Sequence, residues 1–132
     1  KKNQKIFIKK NNQKQLKFFG HCKKIHKLFN ESSIVCLPSY REGFPKALIE
    51  ACASGCAIVT TDVPGCRDAI IDNFNGYLCK PKDIISLSNK LDILIRSEKI
   101  RKKFAKNSRK LALIKYDLRI FVKKNLENYS FK

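Results

Sequence analysis

The sequence predicts an α/β fold: a parallel sheet of Rossmann type followed by C-terminal helices. Three observations carry that prediction. Short apolar runs stand at 34–37, 57–61 and 77–79, the second rich in β-branched residues. Segments with apolar residues at helical spacing separate them, and loops rich in Gly, Pro, Asp or Asn follow the runs. Strand-helix alternation of this kind belongs to parallel sheets with helices on their faces. At 132 residues the chain is long enough for one domain with a real core. It carries neither GxGxxG nor GxxxxGK[ST], so it lacks the fingerprints of dinucleotide and P-loop sites.

Taken in order, residues 1–14 form a basic polar segment with one apolar patch, Ile6-Phe7-Ile8. A Rossmann-like unit is expected over 15–96 and terminal helices over 97–132. Leu16 to Gly20 reads as a strand ending in a glycine turn. Ile25, Leu28 and Phe29 give a helical spacing. After the strand at 34–37 comes a polar loop, then a helix over 45–54 that buries Ala47, Leu48, Ala51 and Cys52 and stops at Gly55. The strand at 57–61 leads to a tight turn at Asp62-Val63-Pro64-Gly65. A helical turn follows from Arg67 to Ile71, then a tight loop at 72–76 and the strand at 77–79. Asp83 is placed to cap a helix whose apolar positions Ile84, Leu87, Leu91, Leu94 and Ile95 follow helical spacing, and Ser97 to cap another over 98–113. Asp117 is placed to cap a last helix with Leu118, Phe121, Val122 and Leu126 inward.

The formal charge of +18 is uneven: residues 1–30 carry ten lysines and no acid, and 96–132 carry thirteen basic residues against three acids. The middle, 31–95, has six basic and eight acidic residues. The main reading of the flanks is solvated helix faces. The alternative is a basic module for an anionic membrane surface or nucleic acid. No base-reading motif accompanies the charge, so no specific nucleic acid is expected. Most of the six cysteines sit in apolar patterns, where cysteine acts as a small hydrophobe. No CxxC pair is present, and the two histidines, His21 and His26, lie upstream of the apolar core. Neither a metal nor a disulfide framework is expected. A reducing cytoplasm fits, with peripheral contact on the inner face of the membrane through the basic flanks.

The most informative stretch runs from Pro38 to Glu50. A strand empties into a loop bearing Glu42 and Gly43, and the loop turns into a helix bearing Glu50, eight positions after Glu42. Open α/β sheets bind ligands at such carboxyl ends, and a helix start favours phosphate. Read from the residues alone, Glu50 is crowded by apolar neighbours and Glu42 is divided between surface and site. Arg41 is a candidate ion-pair partner for Glu42. Asp62 and Arg67 read as turn and packing residues, and Tyr40 and Phe44 as packing.

From Phe19 to Leu78 the chain resembles the C-terminal domain of GT-B glycosyltransferases of family 4, also called group 1. The resemblance rests on an ordered set: Phe19-Gly20, Ile34 to Ser39, Arg41-Glu42-Gly43-Phe44-Pro45, Glu50 to Val59, Thr61 to Asp68, and Asn75-Gly76-Tyr77-Leu78. The Glu42…Glu50 pair looks like the family's EX7E motif. The resemblance implies transfer of sugar, with retention, from a UDP- or GDP-sugar to a glycan or lipid-linked acceptor in cell-surface polysaccharide biosynthesis. It implies no metal and no cofactor beyond the donor. Carried over by position, Glu50 accepts the ribose hydroxyls, Glu42 lies by the donor sugar as the catalytic carboxylate, and Gly43, Phe44, Pro45 and Lys46 surround sugar and phosphate. Gly20, His21 and Cys22 border the base. A carboxylate with two acceptor oxygens suits a vicinal diol.

The family's N-terminal domain and the strand-helix unit carrying its phosphate-binding Arg and Lys have no counterpart in this sequence. The expected fold is therefore an incomplete Rossmann-like sheet, the C-terminal half of a GT-B fold. This chain is expected to bind donor weakly and to transfer sugar poorly by itself. It reads as a fragment, a split-gene product or a non-catalytic remnant docking on a separate N-terminal half.

Overall fold

The computed structural model describes residues 17 and 19–117. Among the described residues the elements run α1 (Ile25–Asn30), β1 (Ile34–Leu37), α2 (Lys46–Ala53), β2 (Ala57–Thr61), α3 (Pro64–Ala69), β3 (Gly76–Cys79), α4 (Ile84–Arg96) and α5 (Glu98–Lys115). The strands form one parallel sheet in the order β1-β2-β3, with Ile34 opposite Ala57 and Ile58 opposite Gly76. The α/β architecture read from the sequence is what the chain adopts. The strand expected at Leu16 to Gly20 is not present at Lys17, Phe19 or Gly20, and residues 16 and 18 lie outside the described residues. The patch Ile6-Phe7-Ile8 and the helix expected after Asp117 lie outside them too.

Central strand β2 is buried along its whole length and sends successive side chains to opposite faces. Ile58 joins Phe29, Leu48, Ala51, Cys52 and Cys66 on one side. Ala57 and Val59 join Tyr77, Leu94 and Phe104 on the other. Tyr77 and Phe104 meet edge to face with ring centroids 5.0 Å apart. Gly76 is required for this layer: a Cβ there would lie 2.5 Å from the Ile58 carbonyl oxygen across the ladder.

Helix ends follow the sequence closely. Asp83 accepts from the Ser86 N–H at 2.8 Å and Ser97 from the Ile100 N–H at 3.3 Å, so both act as N-caps. Gly55 takes a left-handed φ of +72° just past α2 and donates to the Cys52 carbonyl. On α4, Leu94 is fully buried and Leu87 and Leu91 half-buried, while Ile84 and Ile95 are exposed. Two expectations are corrected. Pro64-Gly65 opens α3, with proline in its favoured place at the helix start, and is not a tight turn. Tyr40 and Phe44 are exposed and do not pack.

The basic face of α5 is also more than a solvated surface. Arg101 Nη1 donates to the carbonyls of Leu94 and Ile95, each at 2.6 Å, at the end of α4. Arg109 donates to Ala53 O at the end of α2, and Lys115 to Asp68 O near the end of α3, where the Tyr116 hydroxyl also donates at 2.7 Å. Carbonyls at helix ends lack intrahelical partners and carry the negative end of the dipole. One cationic helix therefore caps three others. Ser108 and Asn107 of α5 hold the 72–76 loop through Asn75 O (3.1 Å) and Phe74 O (2.8 Å).

All six cysteines are free thiols. Burial pushes Cys52 up to about 11 from 9.0, outweighing hydrogen bonds from Ser108 and Asn75. The unfolded chain then loses this proton first, so folding stability falls as pH rises from about 9 towards 11. Urea unfolding across that range is expected to show the fall, and Cys52→Ala to lessen it, the other buried thiols being raised in the same direction. Separately, Arg101→Met is expected to cost about 1–2 kcal/mol in urea unfolding, from loss of two charge-assisted bonds to helix-end carbonyls.

Candidate functional site

The Pro38–Glu50 stretch lies at the carboxyl edge of the sheet, between the end of β1 and helix α2. The Ser39 hydroxyl donates to Glu42 Oε1 at 2.7 Å, so Ser39, and not Arg41, is the partner of this carboxylate in the structure. The Thr61 hydroxyl at the end of β2 donates to the Ser39 carbonyl, and Thr60 donates to the Leu37 carbonyl at 2.7 Å. The loop after β1 is thus tied from below by the neighbouring strand.

It is tied from the side by Gly65, in the first turn of α3. A Cβ at this position would lie 2.5 Å from Gly43 O, 2.6 Å from Glu42 O and 2.9 Å from the Glu42 carbonyl carbon. Only a glycine lets the loop backbone approach so closely. By local preference alone, Gly65 reads as turn chemistry. The signal available was an unexplained Pro-Gly at a strand end opposite a site loop, and the pairing itself is a tertiary fact. Gly43 behaves differently: a Cβ there would meet nothing within 4 Å, so the space beside it is open for a ligand.

On α2, Glu50 is one third exposed and sits 3.7 Å from Lys46 Nζ, one helical turn away. An exposed pair at this distance is weak, so a ligand hydroxyl can take the carboxylate at little cost. Pro45 is buried and occupies the N-cap position, so the helix begins at Lys46, one residue later than expected; Lys46 and Phe44 are exposed. The Lys46 N–H is taken by the Phe44 carbonyl at 2.9 Å, leaving fewer free amides than an ordinary helix start offers. Asp62 and Arg67 form an ion pair with each other, as expected of turn residues. Gly20 takes a left-handed φ of +64°, His21 is exposed and Cys22 is half-buried, all ahead of α1. The structure brings Glu42, Gly43, Pro45 and Glu50 onto one loop-helix unit. It gives Gly20, His21 and Cys22 no hydrogen bond to that unit. Among the described residues no group of three His, Cys, Asp or Glu is gathered as a metal site.

The sequence model for "Glycosyl transferases group 1" matches residues 1–111. The chain belongs to this family. It is 39% identical, over 85% of its own length and 30% of the other, to the N,N'-diacetylbacillosaminyl-diphospho-undecaprenol alpha-1,3-N-acetylgalactosaminyltransferase of Campylobacter jejuni. It is 29% identical, over 70% of its length and 24% of the other, to the capsular polysaccharide biosynthesis glycosyltransferase CapM of Staphylococcus aureus. Among solved structures, the C-terminal domain of the glycosyl transferase group 1 protein LpcC from Francisella tularensis is 31% identical with a TM-score of 0.76, covering 89% of this chain and 62% of that one. Anabaena Alr3699/HepE in complex with UDP shares the fold, with a TM-score of 0.88 at 22% identity over 98% of this chain and 36% of that one. The chain spans about 30% of the first curated relative's length. The similarity to LpcC's C-terminal domain places this group 1 chain in the C-terminal half of a GT-B architecture.

Gly65→Ala is expected to leave the sheet folded but displace the Glu42–Gly43 backbone. A crystal structure of the variant should show that loop moved by several tenths of an ångström or more, with β1–β3 superimposing on the parent.

Proposed function

We propose that the chain is the donor-binding part of a retaining glycosyltransferase that takes a UDP- or GDP-sugar. The observation that supports this best is the Glu42…Glu50 loop-helix unit, held at the carboxyl edge of a parallel sheet in a group 1 family member. Glu50 accepts the two ribose hydroxyls through its carboxylate oxygens. Glu42, oriented by Ser39, faces the donor sugar, and the open space at Gly43 admits the ligand to the loop backbone. Exposed Phe44 and Lys46 lie beside sugar and phosphate, with Lys46 supplying charge to the diphosphate. The Gly20-His21-Cys22 segment borders the base.

The acceptor is lipid-linked or a glycan. The Campylobacter relative's name specifies a diphospho-undecaprenol acceptor, and CapM belongs to capsular polysaccharide biosynthesis. The acceptor half is contributed by a further GT-B domain, so this chain alone binds donor weakly and turns over little. Work on a lipid-linked acceptor places the protein in the cytoplasm at the inner face of the membrane, in peripheral contact through its basic flanks. No described helix is long and apolar enough to cross a membrane.

Calorimetric titration with UDP-sugars and GDP-sugars tests the donor site. One of them is expected to bind, and Glu50→Ala to weaken it at least about ten-fold, the loss of charge-assisted bonds to a diol. Equal affinity in the variant would remove Glu50 from the ribose.

A further inference from the structure

A groove of about 210 Å³ opens at the same carboxyl edge as the donor motif, on the α4 side of the sheet. Pro38 and Tyr40 line it from the end of β1, Lys80 and Lys82 from the loop after β3, and Ile84 and Leu87 from α4. Its rim is unusually apolar for a surface. Ile84 is 80% exposed, its neighbour Ile85 74% and Tyr40 71%. Lys82 Nζ stands 5.9 Å from the centre of the Tyr40 ring. Lys82 also holds a left-handed φ of +64°, a position that glycine would take more readily. The acid within the patch, Asp83, is engaged in capping the Ser86 N–H.

Two exposed isoleucines and a tyrosine beside two lysines are the mixture that fits a bilayer interface. Aliphatic groups enter the acyl boundary, an aromatic with a polar tip sits at headgroup level, and lysines meet lipid phosphates. Protein-binding surfaces are instead depleted in lysine. We propose that this edge, formed by Tyr40, Lys80, Lys82, Ile84 and Ile85, is where the protein seats on an anionic lipid bilayer. The inference rests on the peripheral membrane contact proposed above and adds to the basic flanks an anchor at the sheet edge. Tyr40 lies two residues before Glu42, so seating here holds the donor loop at the bilayer, where a lipid-linked acceptor presents its sugar.

Partition onto vesicles of phosphatidylcholine with phosphatidylglycerol, measured by flotation at low and high salt, tests it. The parent chain is expected to bind, and Ile84→Ser/Ile85→Ser to bind about ten-fold less at both salts, because it loses apolar burial. Lys80→Gln/Lys82→Gln should weaken binding at low salt, where headgroup attraction acts. Tyr40→Ser provides a second apolar test outside α4, and Ile95→Ser, at the far end of α4, should bind like the parent. Far-UV circular dichroism should show all variants folded, since the replaced side chains are exposed. Parent-like binding by both Ile84→Ser/Ile85→Ser and Tyr40→Ser would overturn the edge as anchor while leaving flank-driven contact standing. No binding by the parent would overturn both. A change in oligomeric mass in the isoleucine variant, with vesicle binding unaltered, would assign the edge to a protein partner and also overturn the inference.

Discussion

The site depends on one close approach. The backbone of Glu42 and Gly43 lies against the Cα of Gly65, with no room for even a methyl group. The loop after one strand thereby rests on the helix that follows the next. Parallel pairing of β1 with β2 brings those two strand ends side by side, and the threonines of β2 fasten the loop from beneath. Ser39 then orients the Glu42 carboxylate. Each of these contacts is possible only because the others hold, so the conformation of the motif belongs to the sheet edge as a whole and not to the motif alone.

The same logic extends to the helices. Helices pack on both faces of the sheet, and their carbonyl ends need partners. Here α5, which sends Ala112 to one layer and Phe104 to the other, supplies them with Arg101, Arg109 and Lys115. Part of the large positive charge therefore has an internal use in the fold. On the outer surfaces, Lys80 and Lys82 beside exposed isoleucines are charge of another kind, turned towards solvent at the sheet edge.

Much of this was legible in the residues. The strands at 34–37 and 57–61, the Asp83 and Ser97 caps and the Gly55 stop follow from local chemistry, which acts within a few positions of its own residue. The buried Leu48, Ala51 and Cys52 follow from helical spacing. What the residues concealed depends on contacts between distant segments. Pro64-Gly65 is a turn by its local preference and a helix start by its packing against residues 42–43. Ile84 follows the helical spacing of α4, yet no element among the described residues covers the first turn of that helix. Tyr40 and Phe44 carry large apolar rings that nothing in the described fold encloses. The pairing of Glu42 with Ser39, in place of its charged neighbour Arg41, is likewise set by how the loop closes.

If the carboxyl edge of β1 and β2 binds a nucleotide donor, amide chemical-shift mapping of the isotope-labelled chain during titration with UDP or GDP will show it, even at weak affinity. Saturable shifts are expected at residues 39–50 and 61–66, lost in Glu50→Ala. Shifts confined to the opposite edge, around Ser32, Ser33 and Gly55, or no saturable shifts with either nucleotide, would contradict donor binding at this edge.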